Sequence, residues 1–199
     1  MFAVEGEDLA AAAAAAGIEP VELLVAGESV EQRLLDALST LPHPARVVGV
    51  YRTADLPSEA REAVLALWRV SDPGNVGTLL RAADAFGAAV ALSPGCADPL
   101  GPKALRASVG AIFRVPLVPF DETPERRVAL VARGGTPLRD VDLAGPVTLL
   151  LGAERAGLPE ELVADSNSLG SIPTPGPAES LNVAVAGALA LYERSRQLS

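Results

Sequence analysis

The sequence contains little of the residues on which several common chemistries depend. Its 199 residues include one cysteine (Cys96), one histidine (His43) and one lysine (Lys103). One cysteine excludes an internal disulfide and is typical of a reducing compartment, so we expect a cytoplasmic protein. One cysteine and one histidine cannot form a Cys/His zinc site, and we expect no metal. Because Lys103 is followed by Ala104 and Leu105, the Gly-Lys-Ser/Thr ending of a phosphate-binding P-loop is excluded.

Long apolar runs and positive charge are also scarce. The longest apolar stretches, residues 9–16 and 183–191, fall short of the roughly 18 residues that a membrane span needs. No basic region precedes the apolar residues at the N-terminus, so we expect no secretory signal. Residues 1–60 hold 10 acidic residues and 3 arginines, whereas residues 61–199 hold 15 acidic and 13 basic ones. An acidic chain binds nucleic acid poorly without sequence preference, so any RNA must be held by a local group of residues.

Short apolar runs alternate with helical stretches, which predicts an α/β protein with a mostly parallel sheet flanked by helices. In the first part, the pattern predicts three strands and two helices: strands at 2–4, 21–25 and 47–51, and helices at 7–16 and 29–39. The polar, turn-rich segment 52–57 indicates a join between a small unit, residues 1–56, and a second unit, residues 57–199. His43 lies between two prolines in the first unit, and we expect it to be a loop residue.

The second unit shows the same alternation. We predict strands at 64–70, 88–92, 115–118 and 147–151, and helices at 73–86, 102–112, 159–164 and 180–196. Between Pro119 and Pro146 the pattern is weaker, and we expect this stretch to be too short for a full helix plus a strand. Residues 127–132 fit either a strand or a short helix.

The first of three segments whose residues suggest a functional site is residues 71–87. A strand leads into a turn of Asp, Pro, Gly and Asn at a helix start, so backbone N–H groups point towards the carboxyl end of the sheet, where α/β proteins bind ligands. Arg81 falls outside the apolar stripe of this helix. It is either a functional residue or a solvated arginine paired with Asp84 three residues on.

The second segment is residues 149–159. Gly152 allows close approach to the end of a strand, and Glu154 is expected at the mouth of the sheet. The alternative is a tight strand-to-helix connection without a ligand. The glycines are five residues apart, which does not fit the Gly-x-Gly-x-x-Gly spacing of a dinucleotide-binding fold.

The third segment is residues 172–183. Three prolines make its loop stiff, and Ser180 is predicted to cap the helix that follows. Asn182 is the only strongly polar residue from 181 to 191, and such an apolar helix is expected to be buried in the core or against another subunit. Asn182 is then either a structural amide or a site residue at the mouth of the sheet.

In this order, the three segments resemble the three motifs of the SpoU/TrmH-type RNA ribose 2′-O-methyltransferases, within the SPOUT superfamily of α/β-knot enzymes. The resemblance covers most of residues 64–196, including the stretch 103–111 between the first two motifs. Residues 2–50 resemble the latter part of the small, ribosomal protein L30e-like domain that often precedes the catalytic domain. Residues 1–56 would then be a partial substrate-binding domain, and residues 57–199 the catalytic one.

The resemblance implies which residues act. The catalytic neighbourhood would consist of five polar residues: Asn75, Arg81, Glu154, Ser180 and Asn182. S-adenosylmethionine, the implied methyl donor, would be held by three residues, largely through their backbone: Gly152, Ile172 and Leu181. The family also implies an rRNA or tRNA partner, a homodimer and a C-terminal trefoil knot. Arg81 would stabilise charge on the ribose oxygen rather than abstract its proton, because a guanidinium deprotonates reluctantly.

Two departures and one alternative accompany this hypothesis. Thr174 stands where the family commonly has Met, and Ala153 where it often has Asn, so the donor pocket is expected to differ in detail. A catalytically silent, RNA-binding relative of the same fold is the alternative. A general nucleotide-binding α/β protein is disfavoured, because the sequence has neither a Rossmann nor a P-loop signature.

Overall fold

The computed structural model describes residues 1–39, 44–177 and 179–199, which form two sheets with their helices. His43, predicted to be a loop residue, lies outside these described residues. The smaller sheet is antiparallel, with strand order β1-β3-β2. Its strands and helices alternate along the chain: β1 (Phe2–Glu5), α1 (Glu7–Ala15), β2 (Glu22–Val25), α2 (Gln32–Leu38) and β3 (Val47–Tyr51).

The larger sheet has seven strands in the order β6-β5-β4-β9-β7-β10-β8, and its paired strands run parallel. The strands are β4 (Ala63–Leu67), β5 (Ala89–Leu92), β6 (Leu117–Val118), β7 (Arg127–Leu130), β8 (Thr136–Pro137), β9 (Val147–Leu151) and β10 (Ser168–Ser171). Every residue of the central strands β4 and β9 is buried, as expected for a parallel sheet covered on both faces. The predicted α/β class with a mostly parallel sheet is confirmed.

Four helices accompany the larger sheet: α3 (Pro73–Phe86), α4 (Pro102–Ser108), α5 (Glu160–Ala164) and α6 (Val183–Gln197). Helix α3 packs against both α4 and α6. Two glycines make these contacts close: a Cβ on Gly77 would collide with Ala104 and Ala107 of α4, and one on Gly187 would collide with Leu79 of α3. No helix among the described residues is long and apolar enough to cross a membrane.

The two sheets share one hydrophobic core. Phe2 of β1 and Tyr51 of β3 pack on Phe113, which lies in a 3-10 turn (Ala111–Phe113) beside the larger sheet. The ring centroids of Tyr51 and Phe113 are 5.2 Å apart, and both side chains are 1% exposed. Aromatic pairs therefore join the smaller sheet to the larger one.

Several predicted boundaries were wrong for identifiable reasons. The helix predicted over 102–112 ends at Ser108, because Val109 and Gly110 both adopt positive φ. A side chain on Gly110 would also collide with Ala12 of α1, so the chain turns where the two units touch. The helix predicted from Ser29 starts at Gln32. The strand predicted over 64–70 ends earlier, at Leu67, and the strand predicted over 115–118 begins later, at Leu117.

The C-terminal part differs more from its prediction. Residues 127–130 form a strand, which settles the strand-or-helix ambiguity, and β8 and β10 were not predicted at all. Both missed strands are short and polar, so their sequences lack the apolar run typical of a buried strand. The final helix starts at Val183, not Ser180, because the side chain of Asn182 provides its N-cap.

Candidate functional site

The first segment forms a capped helix start at the carboxyl edge of the larger sheet. Asp72 Oδ1 accepts hydrogen bonds from the backbone N–H groups of Gly74 (2.6 Å) and Asn75 (3.1 Å), and Pro73 occupies the first turn. Lys103 Nζ lies 3.2 Å from Asp72 Oδ2. The hydrogen bond from Asn75 and the one from Lys103 hold the pKa of Asp72 below its usual range.

Glu154 links the second segment to the first. Its Oε2 accepts a hydrogen bond from the backbone N–H of Ser71 (3.3 Å). Its Oε1 accepts one from the backbone N–H of Asp72 (3.2 Å) and one from Asn75 Nδ2 (3.0 Å). Partial burial by itself would raise the pKa of Glu154, but the hydrogen-bond donors lower it by more. The pKa of Glu154 is therefore below its usual range. The carboxylate is therefore ionised at neutral pH and fixes the relative position of two strand ends.

Asn182 joins the third segment to the same group. Its Nδ2 donates to Asn75 Oδ1 (3.0 Å), while its Oδ1 accepts from the backbone N–H groups of Ala184 (2.9 Å) and Val185 (3.3 Å) at the start of α6. The amides of Asn75 and Asn182 thus each both donate and accept within the site. The three segments, joined by hydrogen bonds that span 79 and 107 residues of sequence, meet in a polar chain that we call the Glu154–Asn75–Asn182 network.

A cavity of about 410 Å³ opens beside this network, over the carboxyl ends of β7, β9 and β10. All three residues expected to hold the donor line it: Gly152, Ile172 and Leu181. So do Glu154, Ser180, Asn182 and Thr174. A Cβ on Gly152 would collide with the backbone of Gly157 and Leu158, so the tight turn after β9 requires glycine there.

Ser180 and Arg81 depart from what the sequence predicted. Ser180 lines the cavity but does not cap α6, because Asn182 does. Arg81 is exposed on α3, six residues and about 9 Å beyond Asn75, and it does not line the cavity. The pairing of Arg81 with Asp84 is wrong, because Asp84 is held by Arg114, with Nη2 to Oδ2 at 2.7 Å. Among the described residues, Arg81 has no ion-pair partner.

Sequence reasoning missed one wall of the cavity and one contact at its mouth. Leu130, Val131 and Ala132 at the end of β7 form that wall, together with Gly170 of β10. The run 127–132 was ambiguous by itself, and the polar β10 gave no strand signal. The Lys103–Asp72 contact had no local signature, because 31 residues separate the two side chains. In the part of the chain that the structure describes, no cluster of His, Cys, Asp and Glu could hold a metal ion.

Comparisons with known proteins agree with this geometry. The model of the SpoU rRNA Methylase family matches residues 62–192. A protein of Bacillus subtilis (strain 168), named 23S rRNA (guanosine(2553)-2′-O)-methyltransferase RlmP, is 30% identical over 96% of this chain and 87% of its own length. The 23S rRNA (uridine(2479)-2′-O)-methyltransferase of Streptomyces viridochromogenes is 37% identical over 65% of this chain, which spans 50% of that protein.

Two solved structures with bound AdoMet resemble the whole chain. The SpoU methyltransferase AviRb of Streptomyces viridochromogenes matches with a TM-score of 0.85 and 28% identity, over 99% of this chain and 90% of that one. An rRNA methyltransferase of Sinorhizobium meliloti matches with a TM-score of 0.84 and 30% identity, over 100% of this chain and 88% of that one. Family model, relatives and fold all agree with the three motifs, and the chain belongs to the SpoU rRNA methylase family.

Proposed function

We propose that this protein transfers the methyl group of S-adenosylmethionine to a ribose 2′-hydroxyl of RNA. The observation that carries the proposal is the Glu154–Asn75–Asn182 network at the mouth of the cavity beside Gly152, Ile172 and Leu181. Methyl transfer to a hydroxyl is an in-line displacement, in which correct alignment supplies a large part of the rate. The network provides that alignment, because each of its members is held by at least one other hydrogen bond.

The cavity suits the donor. Its volume of about 410 Å³ lies within the usual range for small-molecule sites, roughly 300–1,000 Å³. Backbone groups at Gly152, Ile172 and Leu181 supply hydrogen-bond partners, while Leu151 and Val183 line the same cavity with apolar surface. When bound, S-adenosylmethionine supplies the methyl group. Thr174 lines the cavity where the family commonly has Met, so the side chain at this point of the cavity wall is smaller and more polar.

Arg81 acts by stabilising the negative charge that develops on the ribose oxygen and by binding the adjacent phosphate. Its exposed position on α3 places it outside the cavity of its own chain. A second copy of the protein therefore supplies Arg81 to each site. Glu154, Asn75, Ser180 and Asn182 then orient the donor and the nucleotide.

The homodimer that this requires uses α3 and α6. Three apolar side chains lie along the exposed face of α6: Val185 (48% exposed), Leu189 (39%) and Tyr192 (56%). Phe86 of α3 contacts Tyr192, with ring centroids 6.4 Å apart, so the two helices lie side by side, and Arg81 lies on the exposed part of α3. Burial of this patch removes apolar side chains from water. Light scattering at micromolar concentration should detect a dimer, and a monomer would contradict this part of the proposal.

Three further features follow from the family. Residues 1–56 act as a partial, L30e-like domain that contributes to RNA selection, and residues 57–199 carry the catalytic site. The segment between β10 and α6, which brings Ser180 and Asn182 to the cavity, belongs to a C-terminal trefoil knot. Methylation of rRNA or tRNA takes place in the cytoplasm, in line with the single cysteine, Cys96.

The substrate class is tested by incorporation of labelled methyl groups from S-adenosylmethionine into rRNA and tRNA, followed by mapping of the modified nucleotide. Incorporation into the ribose of one RNA class is the expected result. Calorimetry of the protein with S-adenosylmethionine or its demethylated product checks donor binding separately. RNA binding without donor binding or incorporation would identify a catalytically silent relative instead.

A further inference from the structure

The carboxyl edge of the larger sheet has two halves. The donor cavity occupies the ends of β7, β9 and β10. The ends of β4, β5 and β6 form the other half, on the far side of Glu154. Trp68, Arg69 and Phe120 lie there, and none of the three lines the cavity. We call these three residues the aromatic platform.

Trp68 connects the two halves. It directly follows β4, and its backbone N–H donates to the carbonyl of Leu151 (2.8 Å), immediately before Gly152. Its ring is half-buried and packs against Phe120, with centroids 5.8 Å apart and planes at 53°. The ring is therefore supported from one side and lies one strand away from the donor cavity.

Arg69 covers this ring. Its guanidinium carbon lies 5.5 Å from the Trp68 ring centroid, within the range of a cation–π contact. Among the described residues no carboxylate pairs with Arg69, and its side chain is exposed. The charge of a guanidinium that no acidic group neutralises is available to an anionic ligand.

The backbone conformation of Arg69 also favours a role in ligand binding. Its φ of 52° lies in the left-handed region, which glycine and asparagine adopt more readily than arginine. The hydroxyl of Ser93 accepts a hydrogen bond from the Arg69 backbone N–H (3.0 Å) and helps to fix this conformation. Such conformations are enriched at ligand-binding sites. Arginine at this position places a cation over the only tryptophan in the sequence.

We propose that Trp68 and Arg69 bind a base of single-stranded RNA next to the methylated ribose, by stacking it on the exposed guanidinium plane that lies over the indole. This inference rests on the proposed function for its choice of ligand. Unpaired bases stack on aromatic rings and on arginine planes, and this is a main source of affinity for single-stranded RNA. Arg69 is two residues from Ser71, whose N–H binds Glu154, so a base on the platform belongs to the target nucleotide or its neighbour.

The sole tryptophan makes a direct test possible. Trp68 fluorescence is titrated with a mixed-sequence, single-stranded RNA octamer in the absence of donor, and separately with S-adenosylmethionine alone. We expect the RNA to quench the emission in a saturable way, because a base stacks on the platform over the ring, and the donor to change it much less. Quenching by the donor but not by RNA would overturn the proposal.

Variants at Arg69 test the platform without damaging the fold. Arg69→Asn removes the guanidinium but keeps a residue that tolerates positive φ, so the melting temperature should be unchanged or higher. Affinity for the octamer should fall by roughly tenfold, as for loss of one stacking contact. Trp68→Leu, which has no tryptophan left, should weaken binding similarly, measured by the fluorescence anisotropy of a dye-labelled octamer for all variants. Arg61→Asn, which removes an exposed arginine just before β4, at the opposite edge of the larger sheet, is the matched control and should change affinity less than about twofold.

The outcomes separate this inference from the proposed function. RNA quenching with reduced affinity of Arg69→Asn, but no methyl incorporation by the parent protein, would support the platform and reject the proposed reaction. Methyl incorporation by the parent, with no quenching and with Arg69→Asn and Trp68→Leu binding RNA as the parent does, would reject the platform alone.

Discussion

The two sheets of this protein differ in how completely they bury their apolar residues. In the larger sheet, all five residues of β4 and all five of β9 are buried. In the smaller unit, β2 has no buried residue, and Val21, Leu23, Leu34 and Leu38 are 43–66% exposed. The cluster formed by Ala26, Leu35 and Val48 is the only separate core of the smaller unit among the described residues.

This difference shows where each unit obtains its stability. The larger sheet buries its central strands between its own helices, so most of its core comes from its own residues. The smaller sheet contributes Phe2, Val4 and Tyr51 to the core of the larger one and depends on that contact. The candidate functional site also belongs to the larger unit, because the Glu154–Asn75–Asn182 network is built entirely from segments of the larger sheet and its helices.

The largest expected effect comes from removing the contact between the units. Phe113→Ala takes away the ring on which Phe2 and Tyr51 pack, and it should lower the free energy of unfolding by about 3–5 kcal/mol. Because the smaller sheet has little core of its own, it should unfold first. Urea unfolding followed by Trp68 fluorescence and by circular dichroism should then give two separate transitions. A single transition with unchanged midpoint would contradict the dependence.

A matched pair of leucines compares the two cores directly. Leu149 of β9 and Leu35 of α2 are 0% and 1% exposed, so both truncations remove a buried side chain. Leu149→Ala should cost about 4 kcal/mol, because the rigid central sheet cannot close the cavity, whereas Leu35→Ala should cost about 2 kcal/mol in a small cluster that can relax. Equal costs in urea unfolding would show that the smaller core is as well packed as the larger one.

Within the larger unit, a change at Arg81 should affect turnover strongly and the free energy of unfolding very little. Arg81→Ala should change the free energy of unfolding by less than about 0.5 kcal/mol, because the side chain is exposed and has no ion-pair partner among the described residues. Turnover should fall by roughly a hundredfold, with donor affinity nearly unchanged. Arg81→Lys should not restore it, since an ammonium lacks the planar fork.

The matched control for Arg81 is Arg61→Ala, just before β4 at the opposite edge of the larger sheet. Arg61 is exposed and, like Arg81, has no ion-pair partner among the described residues, so both stability and turnover should stay close to those of the parent. Methylation is measured with an RNA that the parent protein modifies. Normal turnover of Arg81→Ala would remove Arg81 from the catalytic residues.

The smallest expected effect concerns acid stability. The folded pKa of Glu154 is lowered, so its hydrogen bonds stabilise the protein above the ordinary glutamate pKa, and this contribution is lost as the pH falls through the folded value. Glu154 is largely exposed, so the contribution is at most about 1 kcal/mol. The stability difference between the parent and Glu154→Gln should shrink as the pH falls from neutral to below the ordinary glutamate pKa. A pH-independent difference would show that the carboxylate charge plays no part.

Much of the architecture was readable from local patterns. The strands at Val47–Tyr51 and Val147–Leu151 and the helix at Pro73–Phe86 were predicted with their observed bounds, because apolar runs and a capped proline start are local signals. The family, the activity class and the donor, predicted from the three motifs, are confirmed by the family model and the relatives. The roles of the individual site residues remain predictions.

The sequence by itself determined the residue types of the site, their order and the elements that carry them, because these depend on neighbours along the chain. The tertiary structure alone decided that Asn182, rather than Ser180, caps α6 while binding Asn75, and that Asp84 pairs with Arg114, leaving Arg81 exposed. It also decided that Trp68 lies beside the end of β9, where its backbone N–H binds the carbonyl of Leu151. Each of these contacts depends on strand order and helix packing, which bring together residues that no local pattern relates.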